Sequence, residues 1–159
     1  MMGIPSETLT RKDQPVSGST TLERLLLTPA SILARAADVI ERNGLAHGTY
    51  QRRQHGLKPH DAPVCTLGAV AIAAGAGPYA WEEADLWRRE LASAVVAIDA
   101  LLDFLGFGPE ETRNETLGSW NDAQSAVTVI HALRAAAREA ACHELGTRGP
   151  RNSPAAIAI

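Results

Sequence analysis

Thr28-Pro29-Ala30-Ser31-Ile32-Leu33-Ala34-Arg35-Ala36-Ala37-Asp38-Val39-Ile40-Glu41-Arg42-Asn43-Gly44 is the stretch that decides the fold class. Thr28 is a residue type that caps helices, because its hydroxyl accepts a backbone N–H of the first turn. Pro29 then takes the first helical position, where a missing N–H is no loss. Ile32, Leu33, Ala36, Ala37 and Ile40 recur at helical spacing and fall on one face. Asn43-Gly44 closes the helix, since both residues tolerate the left-handed conformation that ends one.

Helical signals continue on either side. Thr20-Thr21-Leu22-Glu23 has capping-box spacing, which predicts a short helix up to Leu27. Residues 44–62 read as irregular. A strand at Thr49-Tyr50-Gln51 would need a partner, which allows a minor two-stranded element around residues 46–58. Pro63 opens a helix through Cys65, Leu67, Gly68, Ala69, Val70 and Ile72, and the Gly75–Pro78 segment ends it. The longest helix is expected over Trp81–Leu105, with Trp87, Leu91, Val95, Ile98, Leu102 and Leu105 as its stripe. Gly106 stops it. Ser119-Trp120-Asn121-Asp122 is expected to open the last helix, with Ala123, Val127, Ile130, Leu133, Ala137 and Ala141 buried and Gly146 at its end. The sum is a mainly all-α protein, a small four- or five-helix bundle over residues 20–146. Ser/Thr/Gly/Pro-rich flexible tails are expected at residues 1–19 and 147–159.

Composition agrees and excludes several classes. The chain has 159 residues, enough for one domain plus tails. Aromatics are only 4% of the chain, so the core must be aliphatic and Ala-rich. A formal charge of −3 argues against a nucleic-acid binder that relies on bulk attraction. No apolar run is long enough for a membrane span. Met1 to Thr21 carries no apolar signal-peptide core, so the expected location is the cytoplasm. Two cysteines, Cys65 and Cys142, are too few for a secreted disulfide framework.

Three groups of residues carry candidate chemistry. Cys65 follows Pro63-Val64 and is expected in the first turn of a helix, where unpaired N–H groups favour thiolate. The competing role is a buried structural cysteine, favoured by Val64 and Leu67 beside it. Trp120-Asn121-Asp122 reads first as a helix cap, with the Trp sealing the helix start. As chemistry, Asn121 or Asp122 would orient a histidine or a ligand, completing a Cys-His-Asn/Asp site from Cys65 and one of His47, His55 and His60. The run Gln51-Arg52-Arg53-Gln54-His55-Gly56-Leu57-Lys58-Pro59-His60 is locally basic and lies beside Tyr50. Tyr50, Arg52, Arg53 and Trp120 are therefore the candidate ligand-binding side chains. A zinc site from His55, His60 and Cys65, with Asp61 or His47, lacks a finger's spacing and any Cys-x-x-Cys pair, so no metal and no cofactor is expected.

The order of Leu45-Ala46-His47-Gly48, Cys65-Thr66-Leu67-Gly68-Ala69 and Trp120-Asn121-Asp122 resembles an uncharacterised family of small proteins, most common in actinobacteria. Its members have a Cys-x-x-Gly-Ala helix and a Trp-Asn-Asp helix start. The resemblance spans roughly residues 30–140. It marks Cys65, Gly68, Ala69, Trp120, Asn121 and Asp122 as matching positions and implies no activity. The chain departs from the pattern after Asp122, where Gln124-Ser125-Ala126 replaces a Gly-Arg-Thr-like stretch.

Two functions follow as expectations. The first is a small non-enzymatic binding or regulatory module, its partner a protein, a small molecule or a second copy of the chain. The alternative is a thiol-dependent hydrolase or acyltransferase with Cys65 as nucleophile, His47 or a neighbouring histidine as base, and Asn121 or Asp122 as orienting group.

Overall fold

The computed structural model describes residues 27–58, 61–82, 91–108 and 113–146. Among them lie five helices: α1 (Pro29–Asn43), α2 (Thr66–Ala73), α3 (Ala92–Leu105), α4 (Arg113–Asp122) and α5 (Ala126–Glu144). The fold is all-α, as expected. The expected tails, the helix before Leu27, His60 and Trp87 lie outside the described residues.

Helix α1 forms as its sequence dictates. The Thr28 side chain accepts the Ser31 N–H at 3.2 Å. Gly44 ends the helix at φ 91°, a conformation glycine adopts without strain. The face carrying Ile32, Leu33, Ala36, Ala37, Val39 and Ile40 is buried. It packs against α5, α2 and α3, so α1 is the central strut of the bundle. Helix α5 supplies Val129, Leu133, Ala136 and Ala137 to the shared core, and α3 supplies Ala94, Ala97, Ile98 and Leu101. Alanines at these contacts let the helices approach closely, which is how a core with few aromatics fills its volume. On the exposed side of the α1–α5 contact, Arg134 pairs with Asp38 at 3.1 Å and with Glu41 at 2.7 Å.

Three expected elements differ. The span Trp81–Leu105 is not one helix. Trp81 and Glu82 stand in a turn, and α3 begins only at Ala92. Trp81 is buried, and its indole N–H donates to the Leu67 carbonyl at 2.8 Å, so it seals α2. Residues 119–122 do not open the last helix but close α4. Helix α5 starts at Ala126, with Ser125 as cap accepting the Thr128 N–H at 3.2 Å. On this helix Val127, expected in the stripe, is 66% exposed, and Val129 is buried. The competing signal at Ser119 was as strong locally. Only tertiary packing separates them, because α4 buries just Leu117 and Asn121 and has almost no apolar periodicity.

The third difference concerns strand pairing. Val64 forms isolated bridges with Leu45 (parallel) and Gln51 (antiparallel). The partner expected within 46–58 is thus Val64, and the pairing is one residue wide. Four backbone hydrogen bonds hold it: Ala46 N–H to Val64 O, Val64 N–H to Gly44 O, Arg52 N–H to Pro63 O and Cys65 N–H to Tyr50 O. They lay the 44–52 segment across the start of α2.

Candidate functional site

The start of α2 is built for contact with that segment. Tyr50 O accepts the Cys65 N–H at 2.9 Å, which brings the loop backbone onto the first turn. A Cβ on Gly68 would lie 2.6 Å from the same Tyr50 oxygen. Only glycine leaves room there, which gives the Cys-x-x-Gly spacing its physical reason.

Helix α2 is capped twice. Cys65 is its N-cap residue, and Sγ accepts the Gly68 N–H at 3.4 Å. Sulfur is a weak acceptor, and a second cap comes from another helix. Asn121 Oδ1 accepts both the Thr66 N–H at 2.9 Å and the Thr66 hydroxyl at 2.8 Å. Asn121 Nδ2 donates to Ala46 O at 2.9 Å and to Asp122 Oδ1 at 3.0 Å. The asparagine is 1% exposed. It is a cap, as its residue type suggests, but for α2 rather than for its own helix. One carboxamide thereby ties together α2, α4 and the 44–52 segment.

Asp122 continues the connection. Its Oδ1 accepts the Gly48 N–H at 2.9 Å as well as the Asn121 amide. A carboxylate is disfavoured at a helix C-terminus by the aligned carbonyls. These two donors offset that, and Oδ2 has no partner among the described residues.

Around this junction lies a cleft of about 360 Å³. Cys65, Asn121 and Asp122 line it, so three segments distant in sequence do converge. Tyr50, Glu82 and Gly118 also line it. Glu82, Asn114, Gly118 and Thr49 were not legible as site residues. Glu82 reads in the sequence as one of several acids at a helix start, and Asn114 reads there as part of a polar connector, although it lies in α4.

The cleft is electronegative and its thiol is protonated. Burial pushes the Cys65 thiol above its ordinary pKa, and the Asp122 charge pushes the same way. The backbone N–H groups at the helix start oppose this and lose. The thiolate expected from the helix N-terminus is therefore not favoured, because desolvation outweighs the dipole. The Tyr50 hydroxyl is likewise raised, first by burial and then by Cys65 and Glu82.

The remaining candidates are dispersed. His47 is exposed and is not among the residues lining the cleft; His55 is also exposed, and neither makes a hydrogen bond or ion pair among the described residues. Trp120 is half-buried against the core. Arg52 is exposed, and Arg53 lies over the Tyr79 ring, 5.6 Å from its centre. No group of three or more potential metal ligands occurs among the described residues.

The match to a family of unknown function, DUF6197, runs over residues 25–139 and contains every helix of the core up to the last turn of α5. The chain belongs to this family. Comparisons with curated proteins and with solved structures each found no match. In this DUF6197 protein, Cys65, Gly68 and Asn121 all act in building one junction, and the cleft is a product of that junction.

Proposed function

We propose that this DUF6197 protein is a non-enzymatic binding module whose ligand seat is the cleft at Cys65, Asn121 and Asp122. The observation that carries this reading is the state of Cys65. Its sulfur serves as a hydrogen-bond acceptor in a helix cap, and burial holds the thiol protonated. Asn121 is in turn fully engaged by the fold. What remains for a ligand is led by two carboxylates, Asp122 Oδ2 and Glu82, beside the Tyr50 hydroxyl and the Asn114 carboxamide, which can each donate or accept. They suit a positively charged, hydrogen-bond-donating group, an ammonium or guanidinium on a small molecule or a protein side chain. Two free cysteines suit a reducing, cytoplasmic setting.

The second reading is a thiol-dependent hydrolase or acyltransferase. The convergence of Cys65, Asn121 and Asp122 on one cleft favours it. A raised thiol, and no imidazole among the described residues that line the cleft, count against it.

Alkylation of the native protein across pH separates the two. Cys142 is exposed, so it is first replaced by serine. Cys65 is then expected to label only after denaturation. Rapid native labelling with an apparent pKa well below about 8.5 would establish the thiol enzyme and overturn the binding module. Thermal-shift measurements with arginine, agmatine and spermidine test the ligand class. The binding reading requires a shift that Glu82→Gln reduces.

A further inference from the structure

A second cleft is lined by Tyr79, whose ring touches that of Tyr50 in the first. The Tyr50 and Tyr79 rings meet edge to face, with centres 6.2 Å apart. Tyr50 lines the acidic cleft, and Tyr79 lines the other, a space of about 450 Å³. Its wall is of two kinds. Leu57, Pro78 and the Tyr79 ring make an apolar side, on which Leu57 stays 46% exposed. Arg53 and Gln54 make the polar side.

The charge here is opposite to that of the chain as a whole. The formal net charge is −3, yet Arg52, Arg53 and Lys58 all lie on this short loop. None of them has a carboxylate partner among the described residues. The one described acid on the loop is Asp61, which is exposed and makes no ion pair with a described residue. Arg53 is also held in place. Its guanidinium lies 5.6 Å from the centre of the Tyr79 ring, and Tyr79 is fixed by its hydroxyl donating to Gln51 O at 3.1 Å. An arginine stacked on a ring keeps its outward N–H groups for an anion. Holding it beforehand lowers the entropy lost on binding.

We propose that this cleft binds a small organic anion that carries a flat ring. The ring lies against Leu57, Pro78 and Tyr79, and the carboxylate or phosphate meets the Arg53 guanidinium. The volume is that of an ordinary small-ligand site. The acidic cleft lined by Glu82 and Asp122 would reject such a ligand, so the two seats select opposite charges.

The test is an NMR titration of the full chain with adenosine monophosphate and, separately, with benzoate. Inorganic phosphate and benzyl alcohol serve as the charge-only and ring-only controls. Saturable shifts confined to residues 51–58 and 78–79 are expected from at least one ring-bearing anion, with both controls at least tenfold weaker. Which anion binds tells phosphate from carboxylate. Arg53 is exposed, so Arg53→Gln is expected to fold and to weaken binding at least tenfold, and Leu57→Ser to weaken it about threefold. The proposal is overturned by no saturation with either anion, by phosphate alone binding equally well, by undiminished binding to Arg53→Gln, or by shifts centred on Cys65 and Asp122. Apart from shifts centred on Cys65 and Asp122, which would count against both seats, these results leave the cationic ligand of the first cleft to the separate Glu82→Gln measurement.

Discussion

Replacing Asn121 by Asp exchanges one atom and tests the whole junction. Oδ1 would still accept from the Thr66 N–H and hydroxyl. The second oxygen, however, would face the Ala46 carbonyl and the Asp122 carboxylate, both acceptors, where an N–H₂ now donates. At 1% exposure the new carboxylate gets little relief from water. Its simplest escape is to keep a proton and donate it to Ala46 O. That sets a ceiling on the damage. Holding a carboxyl neutral at pH 7 against an unfolded pKa of about 3.9 costs roughly 1.36 kcal/mol per pH unit, or about 4 kcal/mol. Leaving the Ala46 carbonyl unsatisfied instead costs about 1–3 kcal/mol, plus the charge repulsion. The expected loss at pH 7 is therefore about 2–4 kcal/mol. The sign with pH is fixed as well. The folded-state pKa is raised, so the penalty grows as the unfolded chain ionises above about pH 3.9 and disappears below it. Urea unfolding of wild type and variant at pH 7 and pH 4.5 measures both, and taking differences removes the wild type's own pH dependence. The gap should fall below about 1 kcal/mol at pH 4.5. Equal midpoints at pH 7, or a gap that does not narrow on acidification, would refute the bonding scheme given for Asn121.

Other substitutions probe neighbouring claims. Gly68→Ala places a Cβ 2.6 Å from Tyr50 O and should destabilise by about 1–3 kcal/mol, despite alanine's better helix propensity. Gly118→Ala, in a helix and with nothing within 4 Å, should stabilise by about 0.5–1 kcal/mol; chemical denaturation of the pair compares them. Ser125→Ala removes the cap of α5 and should cost about 1 kcal/mol, whereas Ser119→Ala inside α4 should cost almost nothing; a helix starting at Ser119 would reverse the two. Because the Cys65 thiol is raised in the folded state, stability is fully present below its unfolded pKa of about 8.5 and is lost as pH rises above it. Denaturation between pH 8 and 9.5 should show a slope of up to about 1.4 kcal/mol per pH unit that Cys65→Ala removes; the same slope in the variant would assign it elsewhere.

What could be read from the residues alone was whatever depends on near neighbours in sequence. Thr28, Pro29 and Gly44 mark the ends of α1 by local chemistry, and its buried face follows from spacing. Gly106 ends α3 in the left-handed conformation for the same reason. Apart from the start of α5, whose true cap Ser125 is local, the misplacements involve a side chain whose partner lies far along the chain. Asn121 looks like a cap and is one, but the helix it caps begins 55 residues earlier. Trp81 looks like the first residue of an amphipathic helix, and its indole is instead held by Leu67 O. Cys65 has the helix-start setting that activates a thiol, but its effect reverses once the burial imposed by the surrounding segments is included. The convergence of Cys65 with Asn121 and Asp122 could be conceived from residue types; only the packing of α4 on α2 brings it about.

The pairing of Val64 on both sides has a dynamic consequence. The 44–52 segment is fastened at each end to the same three residues, 63–65, so neither end can open without straining the other. The amides of Ala46, Arg52, Val64 and Cys65 should therefore exchange with solvent deuterium at one common rate, as a single unit of local unfolding. Both clefts are lined by this segment, one by Tyr50 and the other by Gln51. An occupant of either one would slow exchange at all four amides, so the two seats would sense each other through a shared opening reaction even with no change of shape.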